Sequence, residues 1–344
     1  CQKHRETYKI WAQWLIRTLS NPDYPGYGLL RKINSNSPPD SELIKHMAHN
    51  GVSKHIARSI YHELIDGYDK LFSLYCDSHA RLFRNSQELD SFRSLLSLSS
   101  TDYDPYFLSL SGTTISMKIY RNTLQRLKSM YVGPSELFLV YLFETVFNYY
   151  ILDGKGLQWS LPLAIFEGLA KFNLQGELFA SPLNHYCPKY YSLFETDFYF
   201  QSQGNLFSQN YLLQTSDTKL LTKQYPPGLY EVNPPFIEEI FSKSAELVCQ
   251  LMSQSDQPYG FVYIMPNWVE FAAYQYLANS PFFCQEIVLP ANQHYYFEWN
   301  SQKYILATFD TIVMILGNDK FQTIFSIPEI GKVMQSWKIN ELNN

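Results

Sequence analysis

Between residues 228 and 278 the chain twice passes from a short apolar run straight into a longer stretch with helical periodicity. GLYEV (228–232) leads into IEEIFSKSAELVCQLM (237–252), and YGFVYIMP (259–266) leads into WVEFAAYQYLA (268–278). Short runs without polar alternation belong to strands buried on both faces, and strand–helix–strand is the unit from which parallel sheets are built. That order predicts an α/β domain with a largely parallel sheet, Rossmann-like in plan, over residues 155–344. GELFASP (176–182) reads as its first strand. QEIVLPA (285–291) and DTIVMILGN (310–318) read as a late pair of strands, with FEW and QKYILAT between them.

Residues 1–154 have a different texture and predict a helical domain. Segments 5–20, 40–50, 52–76 and 135–152 space apolar residues three and four apart, as amphipathic helices do. Ser53 and Ser135 stand where N-caps belong, and 21–28, 34–41 and 97–107 read as connectors. LFLVYLFETVFNYYIL (137–152) is too short for a bilayer span and contains Glu144, so it predicts a buried core helix and no membrane segment. Charge divides along the same line. Residues 1–130 carry 17 Lys and Arg against 12 Asp and Glu, while the whole chain has a net charge of −5. A uniformly basic coat is excluded; a mildly basic first domain that faces a nucleic acid is the functional reading, and a solvated surface the plain one. The five cysteines show no C-x-x-C spacing, so neither a metal site nor a disulfide framework is expected. The polar N-terminal residues are no secretory signal. An intracellular protein is expected. Aromatic residues reach 17%, with 27 Tyr and 24 Phe, which points first to an aromatic-rich core and second to a surface that stacks on flat groups.

The motif with chemical content is Asn233-Pro234-Pro235-Phe236, between a predicted strand and a predicted helix. Ligands of doubly wound sheets bind at the carboxyl ends of strands. The exocyclic amine of adenine is a poor nucleophile because its lone pair is delocalised into the ring. Two acceptors aimed at its N–H bonds, the Asn233 side-chain oxygen and the Pro234 carbonyl, would orient it and favour positive charge on the nitrogen. The Pro-Pro step stiffens the loop, and Phe236 would stack on the base. A sulfonium methyl donor is already activated, so no metal and no nucleophilic residue is required. The same tetrapeptide also serves as an ordinary strand-to-helix turn, and adenine in DNA, adenine in RNA or a glutamine amide would all suit it.

An ordered series of segments carries a resemblance: ELFASPLN (177–184), TDFYFQSQG (196–204), YEVNPPFIEEI (230–240), PNW (266–268), LPANQHYY (289–296) and DTIVMILGND (310–319). Together they resemble the methyltransferase core of the phosphorylated C-terminal-domain interacting factor family, the cap-specific adenosine N6-methyltransferases. The resemblance implies transfer of a methyl group from S-adenosylmethionine to the N6 of adenosine next to the mRNA cap. It implies that Asn233, Pro234, Pro235 and Phe236 form the catalytic loop. Ala180, Ser181, Pro182, Leu183, Asn184 and Asp197 would line the donor pocket, and Glu238 and Trp268 fall at positions associated with capped RNA. From the residues alone, Asp197 is either a ribose acceptor or an exposed carboxylate in a turn. Trp268 is either a base platform or a core residue opening a helix. His294 bonds either a phosphate or, preferably, a loop carbonyl.

Three departures from the family pattern stand out. Its W-R-E-P-P reads Trp268-Val269-Glu270-Phe271-Ala272, two tryptophans with the spacing of a WW domain are missing, and residues between Gly204 and Tyr230 look like an insertion. These bear on cap recognition more than on methyl transfer. DNA or uncapped RNA as substrate is the alternative within the enzyme class, and a non-catalytic nucleic-acid-binding subunit the alternative outside it. A cap enzyme would work in the nucleus, any other reading in the cytoplasm.

Overall fold

A computed structural model of the chain describes residues 53, 55, 92–100, 104–112, 115–151, 158–207 and 224–338. The predicted helices at 5–20 and 40–50, that at 52–76 apart from Ser53 and His55, and most of the insertion after Gly204, lie outside the described residues. The chain divides into two compact units, Cys1–Lys155 and Gly156–Asn344.

In the first unit, residues 97–100, 106 and 107 of the segment 97–107, expected as a connector, belong to a sheet. Strands β1 (Leu96–Ser100), β2 (Tyr106–Leu110) and β3 (Ser116–Ile119) form a three-stranded antiparallel sheet in the order β1-β2-β3. The residues between Leu96 and Ser100 and between Leu108 and Leu110 alternate Leu with Ser, a period of two that suits a sheet with one wet face. Leu96, Leu108, Leu110, Met117 and Ile119 are the buried set. Helical content is therefore only part of this unit. Helix α1 (Arg121–Met130) follows, with its first backbone amide donating to Asp104 Oδ1 at 2.7 Å. A 3₁₀ turn (Ser135–Leu137) then leads into α2 (Phe138–Ile151). Pro134, not Ser135, holds the cap position, and the Ser135 hydroxyl turns to Glu136 Oε2. Helix α2 is buried on nearly all sides, Glu144 included, as expected of a core helix. Among the described residues no helix is long and apolar enough to cross a membrane.

The second unit is mixed α/β. Its elements are β4 (Trp159–Ser160), α3 (Leu163–Ala170), β5 (Leu174–Glu177), β6 (Gly228–Val232), α4 (Glu238–Ser253), β7 (Tyr259–Pro266), α5 (Ala272–Ala278), β8 (Phe283–Leu289), β9 (Tyr295–Glu298), β10 (Lys303–Leu306), β11 (Thr311–Gly317), α6 (Asp319–Ile324) and α7 (Ile327–Gln335). The main sheet runs β5-β6-β7-β11-β8. β5, β6 and β7 are parallel, and β11 is antiparallel to both of its neighbours. β8 therefore runs in the same direction as β5, β6 and β7, so the main sheet is largely parallel, as the sequence pattern predicts, with β11 as its reversed strand. The reason for that reversal lies between β8 and β11, where the chain forms a hairpin and no helix, and a parallel return needs a long crossover. That hairpin, β9 and β10, joins β4 in a separate sheet of order β10-β9-β4.

Every residue of β6, β7 and β11 is buried. On one face Leu229, Val262, Ile264, Val313 and Ile315 pack with Ile165, Phe166 and Leu169 of α3 and Ile330 and Met334 of α7. Each such aliphatic side chain contributes about 1.5–3 kcal/mol by leaving water. On the other face Tyr263 donates its hydroxyl to the Phe241 carbonyl of α4 at 2.9 Å. The tyrosine excess is a core feature here. Tyr190, Tyr191, Tyr230, Tyr259, Tyr263 and Tyr296 are fully buried, each with a hydroxyl partner such as Phe200 O, Pro226 O or Thr311 Oγ1. Close approach also sets two glycines: a Cβ on Gly260 would lie 2.4 Å from the Phe321 ring, and one on Gly176 would lie 2.7 Å from the Lys189 carbonyl.

Candidate active site

Four parallel segments lie side by side in the second unit. Tyr190 bridges to Glu177 in parallel at the outer side of β5, and β6 and β7 follow on the inner side. Their carboxyl ends lead, in that order, to the loop with Asp197, to Ala180–Asn184, to Asn233–Phe236, and to Trp268. The residues singled out from sequence thus emerge at the same end of neighbouring strands, the end where α/β sheets bind ligands.

β6 stops at Val232 because the next residues include two prolines, which cannot donate to a ladder. The loop is compact: the Ile237 amide turns back to the Pro235 carbonyl at 2.7 Å, and α4 begins at Glu238. Pro234 is buried, and Asn233, Pro235 and Phe236 are half-buried. Asn233 donates from Nδ2 to the Trp159 carbonyl at 3.3 Å. The Phe236 ring is held in place by Phe241, stacked at 6.2 Å between centroids, and edge-on by Trp268 at 5.8 Å and Phe309 at 5.5 Å. Trp268 does not open a helix. Its amide bonds Pro266 O, its ring packs on Phe271 at 4.6 Å, and α5 starts only at Ala272. It is half-buried, so it both packs and keeps an accessible edge. Glu238 is exposed in the first turn of α4, where a carboxylate suits the positive helix end. Val269, in the place of the family's arginine, is 44% exposed.

The expected strand 176–182 ends earlier, at Glu177, and the residues beyond it form a turn. Leu178 still bonds Glu231 O and Ala180 bonds Tyr191 O, so the segment is wedged between its neighbours. Ser181 donates its hydroxyl to Asn184 Oδ1 at 2.9 Å, and Asn184 Oδ1 also accepts the Ser181 amide at 2.8 Å. Leu183 N donates to Ser181 Oγ. Ser181, Pro182 and Leu183 are buried, so Ser181 shapes the turn; Ala180 and Asn184 are the half-exposed members. Asn184 Nδ2 reaches the Gln158 carbonyl at 3.4 Å. Asp197 is 0% exposed, so it is not a carboxylate on an exposed turn.

Two buried carboxylates lie directly behind these loops. Glu177 and Glu231 are register partners across β5 and β6. Glu177 Oε1 accepts the amides of Tyr186 and Cys187 at 2.7 and 2.6 Å. Glu231 is fully enclosed with Oε2 lacking a hydrogen-bond partner; burial first, and the Glu177 charge second, push its pKa well above the ordinary range. His294 is also buried. Nδ1 faces the Pro290 carbonyl at 3.0 Å and Nε2 faces Thr311 Oγ1 at 2.9 Å, and burial lowers its pKa. It serves the loop, as preferred from sequence, and offers no cation to a phosphate. Among the described residues no group of His, Cys, Asp and Glu could hold a metal ion.

Trp159, Phe309 and Glu231 were not foreseen. Trp159 and Phe309 belong to segments with no periodicity of their own. Glu231 had a signal, a carboxylate inside the otherwise apolar run GLYEV.

Residues 117–299, more than half of the chain, match the family model described as phosphorylated CTD interacting factor 1 WW domain. The chain is 32% identical over 187 residues to a Homo sapiens protein named mRNA (2'-O-methyladenosine-N(6)-)-methyltransferase, covering 52% of this chain and 25% of that protein. A Mus musculus protein of the same name is 34% identical over 158 residues, covering 45% of this chain and 20% of the relative. The chain thus spans about a quarter of the length of the curated relatives it matches. With its parallel strands and the NPPF loop inside the matched span, the chain belongs to the phosphorylated CTD interacting factor 1 family.

Proposed function

We propose that the second unit is a Rossmann-like, S-adenosylmethionine-dependent methyltransferase that modifies the N6 of adenosine in RNA, the cap-adjacent 2'-O-methyladenosine of mRNA being the substrate favoured by the relatives' names. The observation that carries it is the convergence of four loops at the carboxyl ends of four adjacent parallel segments, with Asn233 and Phe236 on the second-innermost of them.

The residues fit a donor with a polar nucleoside and a charged amino-acid end. Half-exposed Ala180 and Asn184 follow β5, and the Asp197 carboxylate, enclosed in this structure, lies in the 3₁₀ helix Glu195–Phe200 of the next connection outward. These would hold S-adenosylmethionine, which supplies a methyl group already activated on a sulfonium. The chain's own task is to prepare the amine. Asn233 gives its N–H to Trp159 and so turns Oδ1 to accept from an N6–H. The Pro235 carbonyl is taken by Ile237, which leaves the Pro234 carbonyl as the second acceptor. As the nitrogen gains positive charge both bonds strengthen, which is where catalysis requires the gain. Each such bond to a charged group is worth about 1.5–3 kcal/mol. Phe236, braced edge-on by Trp268 and Phe309, offers a flat face to the base. In the first unit, Arg121, Arg126 and Lys128 of α1 supply cations for the RNA backbone, a term without sequence preference and weakened by salt. With mRNA as substrate, the reaction would run inside the cell.

The test is incubation with labelled donor and a panel of capped RNA, uncapped RNA, single-stranded DNA and duplex DNA. Label in N6-methyladenine of RNA supports the proposal. Label only in DNA moves it to the other nucleic acid, and donor binding without turnover on any partner favours a non-catalytic subunit.

A further inference from the structure

The Asn233 amide can be turned two ways, and only one of them is useful to a substrate amine. Nδ2 meets the main-chain carbonyl of Trp159 at 3.3 Å. Reversing the amide would set Oδ1 against that carbonyl oxygen, two acceptors with no proton between them. The partner carbonyl therefore decides which end faces the ligand. Trp159 is itself fastened from three sides. Its backbone pairs with Glu298 across β4 and β9, Nε1 donates to Glu298 Oε1 at 3.2 Å, and its ring stacks on Tyr296 at 5.4 Å and Phe309 at 6.2 Å. Phe309 in turn meets Phe236. The preceding carbonyl, Gln158 O, takes the amide of Asn184. One extended dipeptide thus ties the loop after β5 to the loop after β6 and reaches both ends of the NPPF tetrapeptide.

We propose that Trp159, anchored by Glu298, is a positioning residue that fixes the Asn233 amide with Oδ1 toward the substrate. The proposal rests on the methyl-transfer reading for its consequence and on the Asn233–Trp159 tie for its mechanism, and the two are separable. Trp159→Phe keeps a flat ring for the stack and removes the Nε1–H. Glu298→Ala removes the acceptor and leaves Trp159 in place, so the proposal does not depend on one variant folding.

Both variants and the double variant are compared with the full wild-type chain. Steady-state methylation of RNA gives kcat and KM, and the side-chain amide signals of Asn233, identified by their loss in Asn233→Ala, are followed in nitrogen-15 spectra. A roughly tenfold fall in kcat is expected from each single change, since small misplacements near a reacting atom are costly. KM for donor and RNA should stay within about twofold, and the double variant should fall little further, because both changes break one bond. The Asn233 amide signals should shift and exchange faster with solvent. Unchanged kcat, or unchanged Asn233 signals, overturns the proposal, as does a fall in kcat matched by an equal rise in KM. If the wild-type chain methylates nothing, the methyl-transfer reading fails, while the amide signals still decide the tie.

Discussion

Glu231→Gln tests the electrostatics directly behind the NPPF loop. Glu231 is two residues before Asn233, fully enclosed, and faces Glu177 across β5 and β6. In the unfolded chain its carboxyl titrates near about 4.3. In the folded chain burial and the neighbouring carboxylate raise that value, so between the two values the folded state binds one proton more. Stability must then fall as pH rises through this window, by at most about 1.4 kcal/mol per pH unit. From pH 5.5 to 7.5 the limit is roughly 3 kcal/mol, or roughly 6–12 °C in melting temperature for a unit of this size. Glutamine has the same shape and cannot ionise, so the variant loses this slope. Subtracting wild-type from variant melting temperatures cancels the titrating groups that do not interact with Glu231, and the remainder reports the Glu177–Glu231 pair. The difference should grow in favour of the variant with rising pH. Parallel curves over those two units would contradict a folded-state pKa raised into this window, and the buried-pair argument would be wrong.

Asn233→Ala removes the acceptor and the tie to Trp159; methylation measured with labelled donor should drop at least a hundredfold, with donor affinity by calorimetry within about threefold. Trp268→Ala removes one of the two edge-on supports of Phe236, and kcat for RNA should fall roughly tenfold while donor binding is unchanged. Gly260→Ala drives a methyl group into Phe321, so unfolding by denaturant should show a loss of about 1–3 kcal/mol. If Arg121, Arg126 and Lys128 meet RNA phosphates as proposed, raising salt from 50 to 200 mM should weaken RNA binding modestly and leave donor binding unchanged.

The central strands are legible because nothing competes with their signal. GLYEV and YGFVYIMP are buried on both faces, and β6 and β7 have the bounds that the apolar runs have. The NPPF loop was found by its place between β6 and α4. Residues 96–119 were hidden because serine is both a turn former and the wet-face residue of a half-buried strand, so a period of two looked like a loop. The helix expected from Trp268 begins only at Ala272, because Trp268 turns its ring onto Phe236 and Phe271. Trp159 had no local signature. Its strand has two residues, and its partner Asn233 lies 74 residues away. The antiparallel placement of β11 depends on the hairpin before it, which is a matter of connection and not of the strand's own residues.

The most direct test of the account is N6-methyladenine formation on capped adenosine-start RNA, with wild-type protein and Asn233→Ala side by side. The account predicts label at N6 with wild type and none above background with the variant. Equal label with both proteins, or label absent from every nucleic acid offered to wild type, would contradict it.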